Sequence, residues 1–189
     1  MIRLFDIFFS AIGLLLLLPF FLIIYIVIRI ESKGGGFYVQ ERIGKDEAPF
    51  GLYKFRTMRC GSDKKGLITV GEHDERITHF GYFLRRYKLD ELPQLFNVLL
   101  GHMSFVGPRP TLGNNSIRFD RLEGDLQHRF MVKPGITGYA QAYFRNSIPQ
   151  EQKFHWDAYY ADHVGMLLDA KILFRTAFAV LREKNINCA

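Results

Sequence analysis

The sequence is poor in the residues that build two common kinds of small site. It has only two cysteines, Cys60 and Cys188, which are too few for a disulfide framework and fall in no metal-binding spacing. Its six histidines form no zinc-binding pattern, and no P-loop, G-x-G-x-x-G or G-x-S-x-G motif is present. These absences argue against a disulfide-stabilised secreted domain, a zinc site and the common nucleotide-binding and serine hydrolase motifs. The cysteine usage fits a reducing compartment.

Charge is missing from one long segment. Residues 7–28 contain no charged side chain, and about 20 apolar residues match the hydrocarbon core of a bilayer. Pro19 lacks a backbone N–H and collides with the carbonyl four residues earlier, so we predict that the helix kinks or breaks there. A kinked helix would cross the membrane once, whereas a broken helix would enter and leave by the same face; the residues alone leave both geometries open. Arg3, Arg29 and Lys33 give both ends positive flanks, which tend to stay in the cytoplasm.

The rest of the chain, residues 34–189, is long enough for one soluble domain with its own core. The predicted organisation is therefore a membrane segment over residues 1–33 and a cytoplasmic domain over residues 34–189. The formal net charge of +6 favours anionic lipid headgroups or phosphorylated ligands as partners. Nucleic acid is a weaker candidate, because no nucleic-acid-binding motif is recognisable.

Hydrophobic periodicity and turn residues predict an α+β domain with more helix than strand. The predicted strands are residues 37–43 and 52–58, and the predicted helices are residues 73–87, 90–100, 116–129, 150–162 and 166–182. The predicted loops are residues 61–71, 101–112 and 131–142, the last with a strand after its glycine motif. Residues 166–182 are rich in apolar side chains, and we expect them to pack mainly in the core rather than in the membrane interface.

Two adjacent carboxylates, Asp90 and Glu91, stand between a basic stretch and an apolar helical pattern. For an isolated Asp-Glu pair, the ordinary interpretation is charge complementarity at a helix start, where the amides and the dipole favour negative groups. The alternative is a carboxylate nucleophile beside a magnesium ligand. The sequence pattern by itself favours the ordinary interpretation.

Basic residues form a second candidate site. Lys54 and Arg56 alternate with aromatic residues, so we predict that they share one face of a strand. Arg109 lies between two prolines in a stiff loop, and its planar guanidinium suits bidentate phosphate binding. Residues 133–138, Lys-Pro-Gly-Ile-Thr-Gly, allow close backbone approach to a ligand or simply form a tight turn. Each of these features alone is more often a surface charge or a structural turn.

In combination these segments resemble the small monotopic phosphoglycosyl transferases of bacteria. The resemblance covers nearly the whole chain and rests on the order and spacing of five features. These are the apolar segment with its central Pro19, Tyr-Lys-Phe-Arg-Thr-Met at residues 53–58, Leu-Asp-Glu-Leu-Pro-Gln-Leu-Phe-Asn-Val at 89–98, Met-Ser-Phe-Val-Gly-Pro-Arg-Pro at 103–110, and Pro-Gly-Ile-Thr-Gly at 134–138.

The resemblance implies a reaction and a location. Members of this family transfer a phosphosugar from a UDP-sugar to a polyprenol phosphate, giving a polyprenyl diphosphosugar and UMP, at the inner face of the bacterial cytoplasmic membrane. This step begins glycoconjugate assembly, so membrane lipids and downstream glycosyltransferases are expected partners. The family's membrane segment is a re-entrant helix broken at proline, which Pro19 would match here. Undecaprenyl phosphate is the expected acceptor.

The resemblance also assigns roles to individual residues. Asp90 matches the family's nucleophile, which forms a covalent phosphosugar intermediate, and Glu91 matches the acidic residue that helps to hold Mg²⁺, the expected cofactor. The residues assigned to phosphate and substrate binding are Lys54, Arg56, Arg85, Arg109, Arg145 and Asp157. Of these, Arg145 and Asp157 are assigned to the nucleotide end of the site.

Other functions remain as alternatives. A metal-dependent phosphodiesterase or pyrophosphatase acting on nucleotide sugars would use similar residues with water as the acceptor. A non-catalytic membrane scaffold would use the basic face to bind anionic lipid, and a nucleic-acid binder is the least favoured class. The sequence does not identify the sugar, the polyprenol chain length, the oligomeric state or the glycoconjugate pathway.

Overall fold

The computed structural model describes residues 2–62, 74–112, 124–145 and 147–182. Its helices are α1 (Ile2–Glu31), α2 (His79–Arg86), α3 (Gln94–Leu100), α4 (Tyr139–Tyr143), α5 (Gln150–Asp162) and α6 (Met166–Arg182). Its strands are β1 (Phe37–Ile43), β2 (Pro49–Phe55), β3 (Ser104–Val106), β4 (Thr111–Leu112) and β5 (Gly135–Thr137). Short 3₁₀ turns occur at Lys45–Glu47, Leu89–Glu91 and Gly124–Phe130. The predicted helix-rich α+β class is confirmed.

Two small sheets organise the domain. Strands β2, β1 and β4 form an antiparallel sheet in that order, in which Tyr38 of β1 pairs with Lys54 of β2. Strands β3 and β5 form a parallel pair, with Ser104 opposite Gly135 and Val106 opposite Thr137. This pairing holds the end of β3, and therefore the Gly-Pro-Arg-Pro segment that follows it, against β5.

One face of helix α1 packs against the rest of the domain. Its buried residues are Asp6, Ser10, Phe21, Ile24 and Ile28. They are spaced three, four or eleven residues apart, which places them on one side of the helix. Phe21, Ile24 and Ile28 join Phe55 and Leu84 in one core cluster. The opposite face is apolar and exposed, and its large side chains include Leu4, Phe8, Leu15, Leu16, Leu18, Phe20, Leu22, Ile23 and Ile30.

Helical structure continues through Pro19, because Ile2–Glu31 forms a single element with the proline inside it. Among the described residues, this is the one helix long and apolar enough to cross a membrane by length and composition. The predicted break at Pro19 is therefore not seen, whereas a kink there and the re-entrant course of the segment stay predictions.

A buried amide connects α3 to the strand that carries Lys54. Asn97 is fully buried, its Oδ1 accepts a hydrogen bond from Tyr53 N at 2.9 Å and its Nδ2 donates to Gly51 O at 2.6 Å. Because the Asn97 amide bonds to both Tyr53 N and Gly51 O, it fixes the position of β2 relative to α3, the helix that follows Asp90 and Glu91.

We expect Asn97→Ala to destabilise the folded domain by about 2–4 kcal/mol, because it leaves a buried donor and a buried acceptor without partners. Thermal unfolding of the detergent-solubilised protein should show a midpoint several degrees lower than wild type. Glu41→Ala, at an exposed position on β1, is the control and should leave the midpoint unchanged. Equal midpoints for Asn97→Ala and wild type would contradict this role of Asn97.

Several predicted elements are confirmed and others are wrong. The strand at residues 37–43 and the helices at 150–162 and 166–182 occur with the predicted bounds. In helix α6, Ile172 is fully buried while Leu167 and Phe174 are exposed, so the helix both packs in the core and presents an apolar outer face.

The second predicted strand was placed three residues too late, because β2 spans Pro49–Phe55 rather than residues 52–58. The helix predicted for residues 73–87 is shortened to α2, because Thr78 caps its start by accepting a hydrogen bond from Gly81 N. The helix predicted for residues 90–100 begins only after Pro93, which separates α3 from the 3₁₀ turn at Leu89–Glu91.

The glycine- and proline-rich segments were predicted as loops but contain strands. Residues 101–112 include β3 and β4, and the strand in residues 131–142 lies inside the glycine motif as β5, with helix α4 after it. For the helix predicted at residues 116–129, residues 116–123 lie outside the described residues and Gly124–Phe130 is a 3₁₀ helix. Most of the predicted loop at residues 61–71 also lies outside the described residues.

Candidate active site

The Asp-Glu pair sits in a tight turn between two helices. Helix α2 ends before Lys88, which has left-handed backbone angles (φ 57°, ψ 19°) and turns the chain into the 3₁₀ segment Leu89–Glu91. Leu89 and Leu92 on either side of the pair pack against the α1 core cluster. Anchoring by these two leucines therefore holds both carboxylates at a fixed place between α2 and α3.

Glu91 is the centre of an ion-pair network. Its Oε1 accepts hydrogen bonds from Lys54 Nζ at 3.0 Å and from Arg109 Nη2 at 3.1 Å. Burial by itself would raise the pKa of Glu91, but the charges and hydrogen bonds of Arg109 and Lys54 outweigh burial and hold this pKa well below its usual range. Glu91 is therefore an ionised carboxylate at every physiological pH.

Asp90 has a different environment although it is the next residue. It is buried, with 8% of its surface exposed, and neither of its carboxylate oxygens accepts a hydrogen bond from the part of the chain that the structure describes. Burial raises the pKa of Asp90 and the neighbouring Glu91 raises it further, while Lys54, Arg85 and Lys88 act in the opposite direction. The result is a desolvated carboxylate beside several cations, whose oxygens accept no hydrogen bond from the described residues.

Arg85 reaches this site from the last turn of α2. Its Nε donates to Thr57 Oγ1 at 2.8 Å, which directs the side chain towards the segment after β2, and its charge acts on Asp90. Of the residues predicted for phosphate binding, Lys54, Arg85 and Arg109 are thus brought together around Asp90 and Glu91.

Arg56 lies elsewhere, and its predicted place on the same strand face as Lys54 is wrong. Strand β2 ends at Phe55, and the Arg56 guanidinium donates to Lys33 O and to Ser32 O, each at 2.8 Å, and to Cys60 Sγ at 3.0 Å. Arg56 is buried with 8% of its surface exposed. Its contacts stabilise the exit from α1 rather than the Asp-Glu pair.

Within the described residues, Asp157 is linked to the site through another arginine, Arg129. Its Oδ2 accepts from Arg129 Nη2 at 3.0 Å, and both side chains are buried. Burial raises the pKa of Asp157 to about 6 although Arg129 counteracts it. Arg145 follows α4 with a left-handed backbone (φ 50°), and its N–H donates to Ala140 O at 3.1 Å. The assignment of both residues to the nucleotide end stays a prediction.

Sequence reasoning missed two arginines near the site. Arg42 of β1 donates through Nη1 to Pro110 O at 3.1 Å, and Arg129 donates through Nη2 to Arg109 O at 2.9 Å. For Arg42 a signal was available, because residues 38, 40 and 42 share the face of β1 on which Tyr38 pairs with Lys54. For Arg129 no local pattern pointed to the site.

The described residues contain no group of three or more His, Cys, Asp or Glu side chains that could hold a metal ion. Magnesium does not require such a group, because it keeps several waters and binds through one or two carboxylates together with substrate phosphates. Glu91 fits this mode because it is ionised and because Lys54 and Arg109 both donate to its Oε1. Its other oxygen, Oε2, can therefore bind a metal ion. The residues present are therefore compatible with a magnesium ion that arrives with a diphosphate.

Comparison with known proteins gives consistent matches. The family model described as bacterial sugar transferase matches residues 1–183. The UDP-glucose:undecaprenyl-phosphate glucose-1-phosphate transferase of Xanthomonas campestris pv. campestris is 40% identical over 181 residues, which cover 93% of this chain and 37% of that protein. The UDP-N-acetylgalactosamine-undecaprenyl-phosphate N-acetylgalactosaminephosphotransferase of Aeromonas hydrophila is 36% identical over 179 residues, which cover 93% of this chain and 42% of that protein.

The chain thus spans less than half the length of these two relatives. It matches a third relative nearly end to end: the exopolysaccharide production protein PSS of Rhizobium leguminosarum bv. phaseoli is 38% identical over 188 residues, which cover 95% of this chain and 94% of that protein.

Proposed function

Because the chain belongs to the bacterial sugar transferase family, we propose that it transfers a phosphosugar from a UDP-sugar to polyprenol phosphate and releases UMP. The observation that carries this proposal is the contrast between the two carboxylates. Glu91 is held by Lys54 and Arg109, whereas Asp90 is buried beside Lys54, Arg85 and Lys88, and its carboxylate accepts no hydrogen bond from the described residues. Glu91 is thus placed to hold the cations in position, and Asp90 is placed to act as the nucleophile.

The proposed reaction has two displacements at phosphorus. A carboxylate oxygen of Asp90 attacks the β-phosphorus of the UDP-sugar, the bond from this phosphorus to the bridging oxygen breaks, and UMP leaves with that oxygen. The lipid phosphate then attacks the same phosphorus, the bond to Asp90 breaks, and the carboxylate is regenerated. Covalent catalysis divides one difficult transfer between two bulky anions into two easier steps.

The cations around the pair suit this chemistry. Lys54 and Arg109 bond to Glu91, and the charges of Lys54 and Arg85 act on Asp90, so we place the diphosphate of the donor beside these three cations. Fixed positive groups in a partly desolvated site stabilise the negative charge that develops on the phosphoryl oxygens and on the departing UMP. A magnesium ion held by Glu91 and the substrate phosphates would add charge neutralisation to the leaving group.

Contacts of helix α1 support a location on one face of the membrane. Near its N-terminus, Arg3 donates to Val98 O and Leu99 O, and Asp6 accepts from Ser104 Oγ and Phe105 N. At the other end, Glu31 accepts from Phe80 N of α2 at 3.0 Å. Both ends of the apolar helix are therefore held by the same domain.

A straight helix of 30 residues that crossed the membrane would place its ends about 45 Å apart, on opposite faces of the bilayer. We infer that α1 inserts its exposed apolar face into the bilayer without crossing it, with the domain on the cytoplasmic side. The exposed side chains of Leu167, Phe174 and Phe178 on α6 give the domain a second apolar contact with the same lipid surface. This position brings Asp90 to the depth of the acceptor's phosphate.

Cysteine labelling tests this topology. In a background with Cys60→Ser and Cys188→Ser, we expect Ile2→Cys and Lys33→Cys to be protected from a membrane-impermeant maleimide in intact cells. Both positions should react in inverted membrane vesicles, since both face the cytoplasm in the proposed arrangement. Labelling of Ile2→Cys in intact cells, with Lys33→Cys still protected, would show that the helix crosses the bilayer.

The activity is tested by UMP release from a panel of donors with Mg²⁺, with and without undecaprenyl phosphate. The names of the two relatives above include glucose and N-acetylgalactosamine, and a 37% identical relative from Salmonella typhimurium is named undecaprenyl-phosphate galactose phosphotransferase, so the panel begins with these three UDP-sugars. We expect multiple-turnover UMP release only when the lipid phosphate is present, and the best donor identifies the sugar. Sustained release without lipid would instead indicate a hydrolase that uses water as the acceptor.

A further inference from the structure

Arg109 depends on its backbone for its position. Its side chain is about half exposed, yet its Nη2 must stay within 3.1 Å of Glu91 Oε1. The start of its loop is fixed by sheet-like bonds, since Gly107 N donates to Thr137 O and Gly135 N donates to Pro108 O. The carbonyls of Arg109 and Pro110 lie beyond this ladder, and both are bonded by arginine side chains.

Arg129 holds the first of these carbonyls from inside the domain. It is buried, with 3% of its surface exposed, and its Cζ lies over the rings of Phe130 and Phe154 at 4.9 and 4.5 Å from their centroids. Its Nη2 donates both to Asp157 Oδ2 at 3.0 Å and to Arg109 O at 2.9 Å. The buried ion pair thus extends to the backbone of the loop.

The orientation of Arg129 leaves one of its own donors without a partner. Its Nε is buried and makes no hydrogen bond among the described residues, which costs free energy. If the Arg129 guanidinium served only to pair with Asp157, two of its N–H groups could donate to the carboxylate in a bidentate arrangement. The observed orientation instead directs one nitrogen to Asp157 and Arg109 together.

Arg42 holds the second carbonyl from the sheet. Its Nη1 donates to Pro110 O at 3.1 Å, and its Nε and Nη2 donate to Gln40 Oε1 at 3.2 and 2.7 Å. Burial lowers the pKa of Arg42 to about 10, and the charge of Arg109 contributes, while Glu91 acts in the opposite direction. The bond to Pro110 O thus places the Arg42 guanidinium beside the residue that follows Arg109, in spite of the like charges of the two arginines.

We propose that Arg42 and Arg129 are positioning residues, which hold the carbonyls of Pro110 and Arg109 so that the Arg109 guanidinium stays at Glu91 and meets the diphosphate of the donor. This inference rests on the proposed function. Neither arginine needs to touch the substrate, since each acts through the backbone of the loop. A misplacement of about 1 Å in such a group can lower a rate about 100-fold.

A double-mutant cycle measures whether Arg129 acts through Arg109. The readouts are kcat and KM for the UDP-sugar, together with the thermal midpoint of each variant. We expect Arg129→Lys to lower kcat/KM about 10-fold and Arg109→Ala to lower it about 100-fold. In the double variant the loss should stay within about two-fold of that of Arg109→Ala alone, because the group that Arg129 positions is already gone.

Arg42→Lys combined with Arg109→Ala gives a second, independent cycle. The matched control is Arg59→Lys, at an exposed position, which should keep wild-type kinetics. If the losses multiply in both cycles, the two arginines act independently of Arg109, and the inference is overturned. Loss of the fold in both single variants would also overturn it, because the arginines would then serve general stability. Absence of turnover by the wild-type protein with every donor would overturn the proposed function, and this inference with it.

Discussion

Asp90→Asn should lower phosphosugar transfer by at least about 1,000-fold. The amide keeps the size and burial of the side chain but lacks an ionised oxygen to form a bond with phosphorus. The Asp90 carboxylate accepts no hydrogen bond from another described residue, so its replacement breaks no side-chain hydrogen bond within that part of the chain that could explain a large loss. Because Asn also removes the repulsion between adjacent carboxylates, the thermal midpoint should be equal to or above that of wild type.

Lys54→Ala is the comparison for this prediction. It removes a charge at 3.0 Å from Glu91 but leaves the nucleophile, so residual turnover should exceed that of Asp90→Asn by about 10-fold or more. Initial rates of UMP release at saturating donor and acceptor measure both variants. Equal and mild losses from the two changes would contradict the role of Asp90 and favour the scaffold alternative.

Glu91→Gln should lower kcat by about 100-fold. The neutral amide loses the charge that holds Lys54 and Arg109 at 3.0 and 3.1 Å, and the partly buried Lys54 and the half-exposed Arg109 then lack their common anionic partner. If Glu91 also holds magnesium, the variant should need a higher Mg²⁺ concentration for half-maximal activity.

A titration with Mg²⁺ at fixed donor concentration separates these two effects. Glu41→Gln, at an exposed position on β1, is the matched control and should behave like wild type. A kcat within about three-fold of wild type with an unchanged Mg²⁺ requirement would show that Glu91 has neither role.

The sequence singled out Asp90 and Glu91 as the candidate pair because they are adjacent and lie in a long string of residues that resembles one family. Adjacent residues need no fold to bring them together. Their different environments were not predictable, because they depend on Lys54 and Arg109, which lie 37 and 18 residues from Glu91 in the chain.

The error at Arg56 has a local cause. Alternation of aromatic and basic residues was extended to residue 58, but β2 ends at Phe55, and the next amide, Arg56 N, bonds to Gly36 O. One residue beyond a strand end, side-chain direction no longer follows the period of two. Arg56 therefore turns towards Ser32 and Lys33 instead of towards Lys54.

Strands β3 and β5 were missed for a different reason. Each has three residues in a segment rich in glycine and proline, which is too short for a period to be visible. They are strands because they pair with each other across about 30 residues of sequence. Arg129 was missed in the same way, since its contacts with Arg109 and Asp157 are 20 and 28 residues away.

The central claim is that Asp90 carries the phosphosugar between donor and acceptor. Intact-protein mass spectrometry after rapid mixing with the preferred UDP-sugar, without lipid phosphate, tests it directly. We predict a mass increase of one sugar phosphate on the wild-type protein and none on Asp90→Asn, with loss of the adduct when undecaprenyl phosphate is added. Lipid product formed by a wild-type protein that never carries this mass would contradict the claim and indicate direct transfer from donor to acceptor.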